Sequence, residues 1–327
     1  MLDKPYNNEF PTINRAYNSV FQFGKLSIGL VLPIEAYSVG KEPTMKDHLA
    51  TARLAEELGF SAIWLRDVPF NVPSFGDVGQ MYDPFVYLGT LAAITEKIAL
   101  GTASIILPLR HPAHVAKAAA TADALSDGRL LFGVASGDRP EEYPALNMSF
   151  PDRGERFRDS FEYIRAVESE YPKHQSAQGT LDGSVDMLPK PVGGKIPMLI
   201  TGGSQQSPEW VAANGDGWMT YPRDVTSQTR VVGDYRRRIA ELGGSTKPVM
   251  QSLYIDLVED ADASPKPIHL GFQSGMSFLR QYLLQIQEIG INHVALNLRF
   301  NHADIEETLQ RLSEELLPEF NNQGNTK

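Results

Sequence analysis

Eight short apolar runs recur along this chain, each followed by a stretch of helical periodicity, and that alternation constrains the fold more than any other feature. The runs are Leu26–Leu32, Ser61–Leu65, Ile98–Leu107, Arg129–Ala135, Pro197–Thr201, Trp218–Tyr221, Val249–Val258 and His293–Leu298. They are continuous rather than alternating, so both faces of each strand are buried, which is the signature of a parallel sheet. Between them the spacing predicts helices. One opens at Thr44 with Asp47 completing an approximate capping box; others open at Asp83-Pro84, Pro112 and Ser207-Pro208, where a polar cap precedes a first-turn proline. Eight strand–helix units close naturally into a (β/α)8 TIM barrel. The competing α/β architecture, a doubly wound open sheet, usually carries fewer strands and a glycine fingerprint after the first of them. Neither GxGxxG nor GxxxxGK(S/T) occurs in this chain. The expected organisation is therefore an N-terminal arm over 1–25, one barrel domain over 26–320 and a C-terminal tail over 321–327. A Gly- and Pro-rich excursion over 173–196, readable as a hairpin, precedes the fifth strand.

Charge and composition narrow the function. Of the 327 residues, 30 are Lys or Arg and 40 are Asp or Glu, a net charge of −10. Nucleic acids and anionic membranes call for a basic surface, so neither is an expected partner, although a local basic pocket for one phosphate is compatible with this balance. The chain has no cysteine, which removes disulfides, thiolate catalysis, iron–sulfur clusters and Cys-type zinc sites. No HExxH or similar metal spacing occurs, and no metal is expected. No apolar run approaches the roughly 20 residues of a membrane span. The first residues lack the basic-then-apolar pattern of a signal peptide, and the expected location is the cytoplasm.

In a barrel the chemistry sits at the C-terminal ends of the strands. The segment TGGSQQSPEW, residues 201–210, places two glycines and two serines between a strand and a helix start. Glycine lets backbone approach a ligand closely, and amides entering a helix favour an anion. Two readings stand: a phosphate site, or an ordinary strand-to-helix loop with Ser207 as cap. His111, in Arg110-His111-Pro112, is either a catalytic base or a helix cap. Asp138 and Arg139 follow the fourth strand as pocket walls or as a solvated loop. Arg66-Asp67 end the second strand as an ion pair or a substrate contact. Trp64 and Trp218 read as packing residues, whereas Tyr221 and Tyr254 are candidate ligand contacts. His48, His114 and His302 read as surface groups and His293 as structural.

Residues 98–143, with GTASIILP, RHP, the A-x-x-D-x-L-S-x-G-R-L run and an FGV…EEY ending, resemble the luciferase-like flavin monooxygenase family. GFSAIWLRD (59–67), DMLPKPV (186–192) and LITGGSQQSPEWVAANGDGW (199–218) extend the resemblance over most of the chain. It implies a barrel that binds FMN or, in some branches, a deazaflavin coenzyme. Commonly such a protein uses reduced flavin and O2 to oxygenate a small organic substrate. By the same resemblance, Ala103-Ser104 matches a non-prolyl cis peptide beneath the flavin ring, and Ala135 and Ser136 match positions beside it. Gly202, Gly203, Ser204 and Ser207 match the phosphate loop. The candidate catalytic groups are Ser104, Asp138 and His111, with no role assigned among them.

Three departures stand out. The histidines that follow the second strand in light-emitting members are replaced here by Arg66-Asp67-Val68-Pro69, which argues against light emission. An Arg that binds phosphate in some members corresponds to Ser136, so the phosphate charge calls for another partner, Arg139 or Arg223. The insertion after the seventh strand, about 259–274, is short. The resemblance further implies a homodimer and a separate flavin reductase. A deazaflavin-dependent hydride-transfer enzyme and a non-catalytic flavin-binding subunit are the alternatives.

Overall fold

The computed structural model describes residues 9–37, 41–75 and 81–320; the expected tail at 321–327 and the first eight residues of the arm lie outside the described residues. Eight strands form at Ser27–Val31, Ala62–Leu65, Ala99–Thr102, Leu130–Ala135, Met198–Thr201, Gly217–Thr220, Val249–Leu257 and His293–Asn297. Each pairs in parallel with its neighbours, and the first pairs with the eighth as well as with the second, so the sheet closes into the expected (β/α)8 barrel. The third strand is interrupted at Ala103-Ser104, whose peptide bond is cis, and resumes at Ile105–Ile106 against the fourth.

Because successive strand residues point to opposite faces, one set of apolar side chains packs outward under the helices. The other set, including Val31, Trp64, Leu131, Leu199, Met219 and Met250, meets inside the barrel. The arm closes this interior from below. Its helix, Arg15–Val20, buries Tyr17 and Val20, and Phe21 follows them into the same cluster. The helix is capped by Asn14, whose amide also reaches Asp123 (3.0 Å) and the carbonyl of Leu130 (2.8 Å). The Tyr17 hydroxyl donates to the carbonyl of Asp216 at 2.8 Å. The apolar spacing Ile13, Tyr17, Val20, Phe21 is a helical face within what the sequence marks only as an arm.

Trp64 fits inside the barrel because Gly101 stands beside it, and Gly133 lets two strands approach nearby. A Cβ at Gly101 would lie 2.2 Å from the Trp64 ring, and one at Gly133 would lie 2.0 Å from the carbonyl oxygen of Thr102. The latter obstacle is backbone and cannot rotate away. Gly133→Ala is expected to cost about 1–3 kcal/mol of stability, the usual range for overpacking, read as a lower urea midpoint.

Helix starts follow the capping signals. Asp83, Ser207, Asp224 and Asp304 accept from first-turn amides ahead of Pro84–Ile94, Pro208–Asn214, Val225–Glu241 and Ile305–Glu315. The start expected at Thr44 is corrected: the helix is His48–Glu57, because Met45 and Asp47 sit at φ 55° and 54° and the Asp47 side chain makes no cap. Left-handed backbone cannot continue an α-helix. His48 correspondingly is not a plain surface group; its Nδ1 lies 2.6 Å from the Tyr87 hydroxyl. The excursion before the fifth strand contains the hairpin Lys173–Ser176 with Gly179–Asp182. After the seventh strand, Lys266–Ile268 and Gly271–Ser274 form a second hairpin whose latter strand adds in parallel to Tyr254–Leu257. Among the described residues no helix is long and apolar enough to cross a membrane, and no group of three His, Asp or Glu is arranged to hold a metal ion.

Candidate active site at the barrel mouth

A cavity of about 870 Å³ opens at the C-terminal ends of the strands. That volume lies in the range of small-molecule and cofactor sites. Its floor is apolar, made by Val31, Ile106, Met219, Met250 and Ala295. Ala103 and Ser104 border it at the cis peptide, and Ala135 and Ser136 border it at the end of the fourth strand. Ser104 and Thr201 share a short hydroxyl–hydroxyl hydrogen bond over the Met219 sulfur, so their polar atoms are paired within an otherwise apolar surface.

On one side the cavity meets Gly202, Gly203, Ser204 and Gln205. Gly202, Ser204 and Gln205 have φ of 54°, 44° and 61°. The backbone N–H groups of Gly203, Ser204 and Gln205 have no acceptor among the described residues. Consecutive amides turned to one concavity form an anion nest. The loop is held firmly. Trp218 Nε1–H donates to the Gly202 carbonyl at 2.9 Å, the Ser204 hydroxyl donates to the Thr201 carbonyl at 2.8 Å, and the Gln206 side-chain amide donates to the Gly154 carbonyl at 2.7 Å.

Ser207 does not border the cavity. Its hydroxyl accepts from the Trp210 amide at 3.2 Å as a helix cap, and the helix it opens is only seven residues long. The anion cradle is therefore the loop itself rather than the helix end. Arg153 also borders the cavity, a residue missed in the sequence because it lies between the fourth and fifth strands, remote in the chain from Gly203. The helix Arg153–Ala166 crosses the loop so closely that a Cβ on Gly154 would lie 2.9 Å from the Gln205 Cβ. Arg153 borders the cavity, stacked over Phe150 at 3.8 Å, and its Nε is buried with no hydrogen-bond partner. Of the two arginines expected to balance a phosphate, Arg139 also borders the cavity, 3.6 Å from Glu142 and 4.4 Å from the Phe75 ring, with its Nε and Nη1 buried and without a hydrogen-bond partner. Arg223 is engaged elsewhere, donating to Thr220, to the Tyr221 carbonyl and to Gln228.

The other candidates separate clearly. Asp138 borders the cavity near Tyr221 and Arg66. The Tyr221 phenol is pushed up by burial and by the Asp138 charge, with Arg66 opposing. His111 lies outside the cavity: its Nδ1 accepts from the Ala113 amide (3.2 Å) and its Nε2 faces the Gln178 carbonyl (3.1 Å). Asp67 pairs with Arg110 rather than with Arg66, through contacts of 3.2 and 2.9 Å, and also accepts from the Ile106 amide. This carboxylate fastens the second strand to the third rather than offering itself to a ligand. Of the histidines, His269 alone borders the cavity. It stands at the tip of the second hairpin, 5.7 Å from the Tyr254 ring, and no motif around it marks it in the sequence.

A parallel barrel with a cis peptide beside an apolar floor and a concavity of unpaired amides after the fifth strand makes a site of cofactor size at the barrel mouth. The profile of the luciferase-like monooxygenases matches residues 26–273, and the chain belongs to that family. An uncharacterised protein of Mycobacterium tuberculosis is 33% identical over 192 residues, covering 54% of this chain and 68% of the relative. Among solved structures, the monooxygenase RslO1 of Streptomyces bottropensis superposes with a TM-score of 0.76 at 20% identity, over 89% of this chain and 99% of the other. An F420-dependent secondary alcohol dehydrogenase, in complex with an F420–acetone adduct, superposes with a TM-score of 0.73 at 20% identity, over 89% of this chain and 98% of the other. At such identities the superpositions speak for the fold; the family membership makes the protein an oxidoreductase.

Proposed function

We propose that the protein is an FMN-dependent oxidoreductase that uses reduced flavin and O2 to oxygenate a small organic substrate. The observation that carries this reading is the pairing, in one cavity, of the anion nest with its arginine and of an apolar floor at the cis peptide. Gly203, Ser204, Gln205 and Arg153 would hold the phosphate. Ala103, Ser104, Ala135 and Ser136 would border the ring. When bound, the flavin supplies the redox chemistry, which no side chain of this cavity could supply.

The protein's part is to bind, orient and keep water out. Val31, Met219, Met250 and Ala295 offer no polar atom that would stabilise water against the ring. The Ser104 and Thr201 hydroxyls are satisfied by one another. Asp138, Tyr221 and His269 are the groups able to move a proton at the open side of the cavity. Reduced flavin would come from a separate reductase.

Titration with FMN and riboflavin tests the reading. FMN is expected to bind well above riboflavin, and Arg153→Gln to lose about tenfold in FMN affinity, the share of one charge-assisted contact, with riboflavin unchanged. Equal binding of the two flavins by the wild-type protein would overturn the assignment. A second reading, hydride transfer through a deazaflavin coenzyme, is favoured by the F420-dependent dehydrogenase among the structural neighbours. Both cofactors carry a phosphate for the nest. Parallel titration with each, with oxygen consumption followed, separates them.

A further inference from the structure

The loops after the second and fourth strands meet across the end of the third. Both touch Ile106, which follows the cis peptide. The Asp67 carboxylate accepts from the Ile106 amide at 3.0 Å, and a Cβ at Gly137 would lie 2.8 Å from Ile106 Cγ2. The two loops are also joined to each other. The Ser74 hydroxyl donates to the Glu141 carboxylate at 3.1 Å, and the Arg139 guanidinium lies over the Phe75 ring, 4.4 Å from its centre. Phe75 ends the short turn Pro73–Phe75. It borders the cavity with Ala103, Ser104 and Ile106 and is nevertheless 43% exposed, so it stands at the rim. Exposed apolar surface at the edge of a cavity is a feature of ligand grooves.

Arg139 is suited to hold this ring rather than an anion. It is buried, and its counter-charge, 3.6 Å away, is the wholly buried Glu142. Its Nε and Nη1 have no hydrogen-bond partner, and being buried they offer no surface to a phosphate in the cavity. A buried ion pair that lacks such hydrogen bonds is a poor source of stability. What this one supplies is a planar cation against an aromatic face, an attraction that strengthens when both are out of water. The Ser74–Glu141 bond fastens the same turn from the neighbouring residue.

We propose that Phe75 is the roof of the ring site. It covers a flavin ring lying beside Ala103-Ser104 and keeps water and solutes from it. Arg139 is a positioning residue that acts through Phe75, not a ligand of the phosphate. This inference rests on the reading of the cavity as the flavin site.

Iodide quenching of the bound flavin's fluorescence tests it in the full-length protein, with FMN and riboflavin each used as the probe. Phe75→Ala, at a half-exposed position, is expected to raise the quenching constant about twofold or more, because it removes the barrier between ring and solvent. The preference for FMN over riboflavin is expected to stay as in the wild type. The double variant Arg139→Gln with Glu142→Gln removes both charges together and leaves no buried charge unpaired. It is expected to raise quenching in the same direction by a smaller factor, again with the preference for FMN kept. The proposal is overturned if either variant is quenched no more than the wild type. It is equally overturned if the double variant loses FMN affinity while keeping riboflavin, since Arg139 would then be a phosphate ligand. Failure of the phosphate-site reading shows separately, as wild-type FMN binding no tighter than riboflavin, and the quenching of bound riboflavin then still reports on the roof.

Discussion

Replacing Ser204 with Asp is expected to weaken FMN binding by about a hundredfold or more and to leave riboflavin binding nearly unchanged. The substituted carboxylate would stand inside the nest, a few ångströms from the phosphate. Two like charges about 4 Å apart repel by about 4 kcal/mol at the effective dielectric of a protein surface, and each 1.4 kcal/mol is tenfold in affinity. Backbone conformation contributes little to the difference, because Ser204 sits at φ 44° and Asp tolerates left-handed backbone better than most residues. The hydroxyl bond to the Thr201 carbonyl (2.8 Å) is also lost, but Ser204→Ala loses it equally and serves as the control. Fluorescence titration of both variants with both flavins decides the matter. If Ser204→Asp lost FMN and riboflavin together, the effect would be collapse of the loop rather than repulsion, and the nest would not be the phosphate site.

Acidification is expected to destabilise the protein through one ring at the centre of the barrel. His293 is wholly buried, and its pKa is pushed down to about 3 by that burial. The Trp64 indole N–H donates to its Nε2 at 2.8 Å. An indole nitrogen can only donate, so Nε2 carries no proton and Nδ1 faces the Ser27 hydroxyl at 2.7 Å. Ser27 in turn donates to the Val20 carbonyl at 2.8 Å, tying the arm to this network.

Well above pH 6.5 the ring is neutral in both the folded and the unfolded chain, and its titration costs nothing. As the pH falls from about 6.5 toward 3, the unfolded chain takes up a proton that the folded chain refuses, so stability falls with pH. The loss grows by about 1.4 kcal/mol for each pH step of one across that window, reaching about 2 kcal/mol at pH 5 and about 3 kcal/mol at pH 4. Urea unfolding at pH 7 and pH 5 should show the wild type losing about 2 kcal/mol more than His293→Gln, which cannot titrate. Equal losses in the two proteins would mean that other groups govern the acid limb.

Much of the architecture was legible because it is written in local chemistry. Continuous apolar runs marked strands buried on both faces, and Asp83, Ser207 and His111 each stand before a proline and cap a helix. The helix start at Thr44 failed for a local reason as well: the left-handed residues Met45 and Asp47 carry no sequence signal of the kind glycine gives. In the site, Ala103, Ser104, Ala135, Ser136, Gly202, Gly203, Ser204 and Asp138 meet in one cavity. The residues left out or misplaced are those whose role depends on another part of the chain. Arg153 borders the cavity only because its helix crosses the loop after the fifth strand, and His269 reaches the mouth only because its hairpin seats on the seventh.

By itself, the sequence determined that the chain alternates buried strands with helices, which of its loops carry the glycines of an anion nest, and to which family it is related. Periodicity, capping and glycine placement act within a few residues, so they can be read along the chain. The tertiary structure alone decided which charges face one another: Asp67 takes Arg110 rather than its neighbour Arg66, Arg139 faces Glu142, and Arg223 is held by Thr220 and Gln228. Electrostatic partnership acts through space, and barrel closure sets which distant segments share that space.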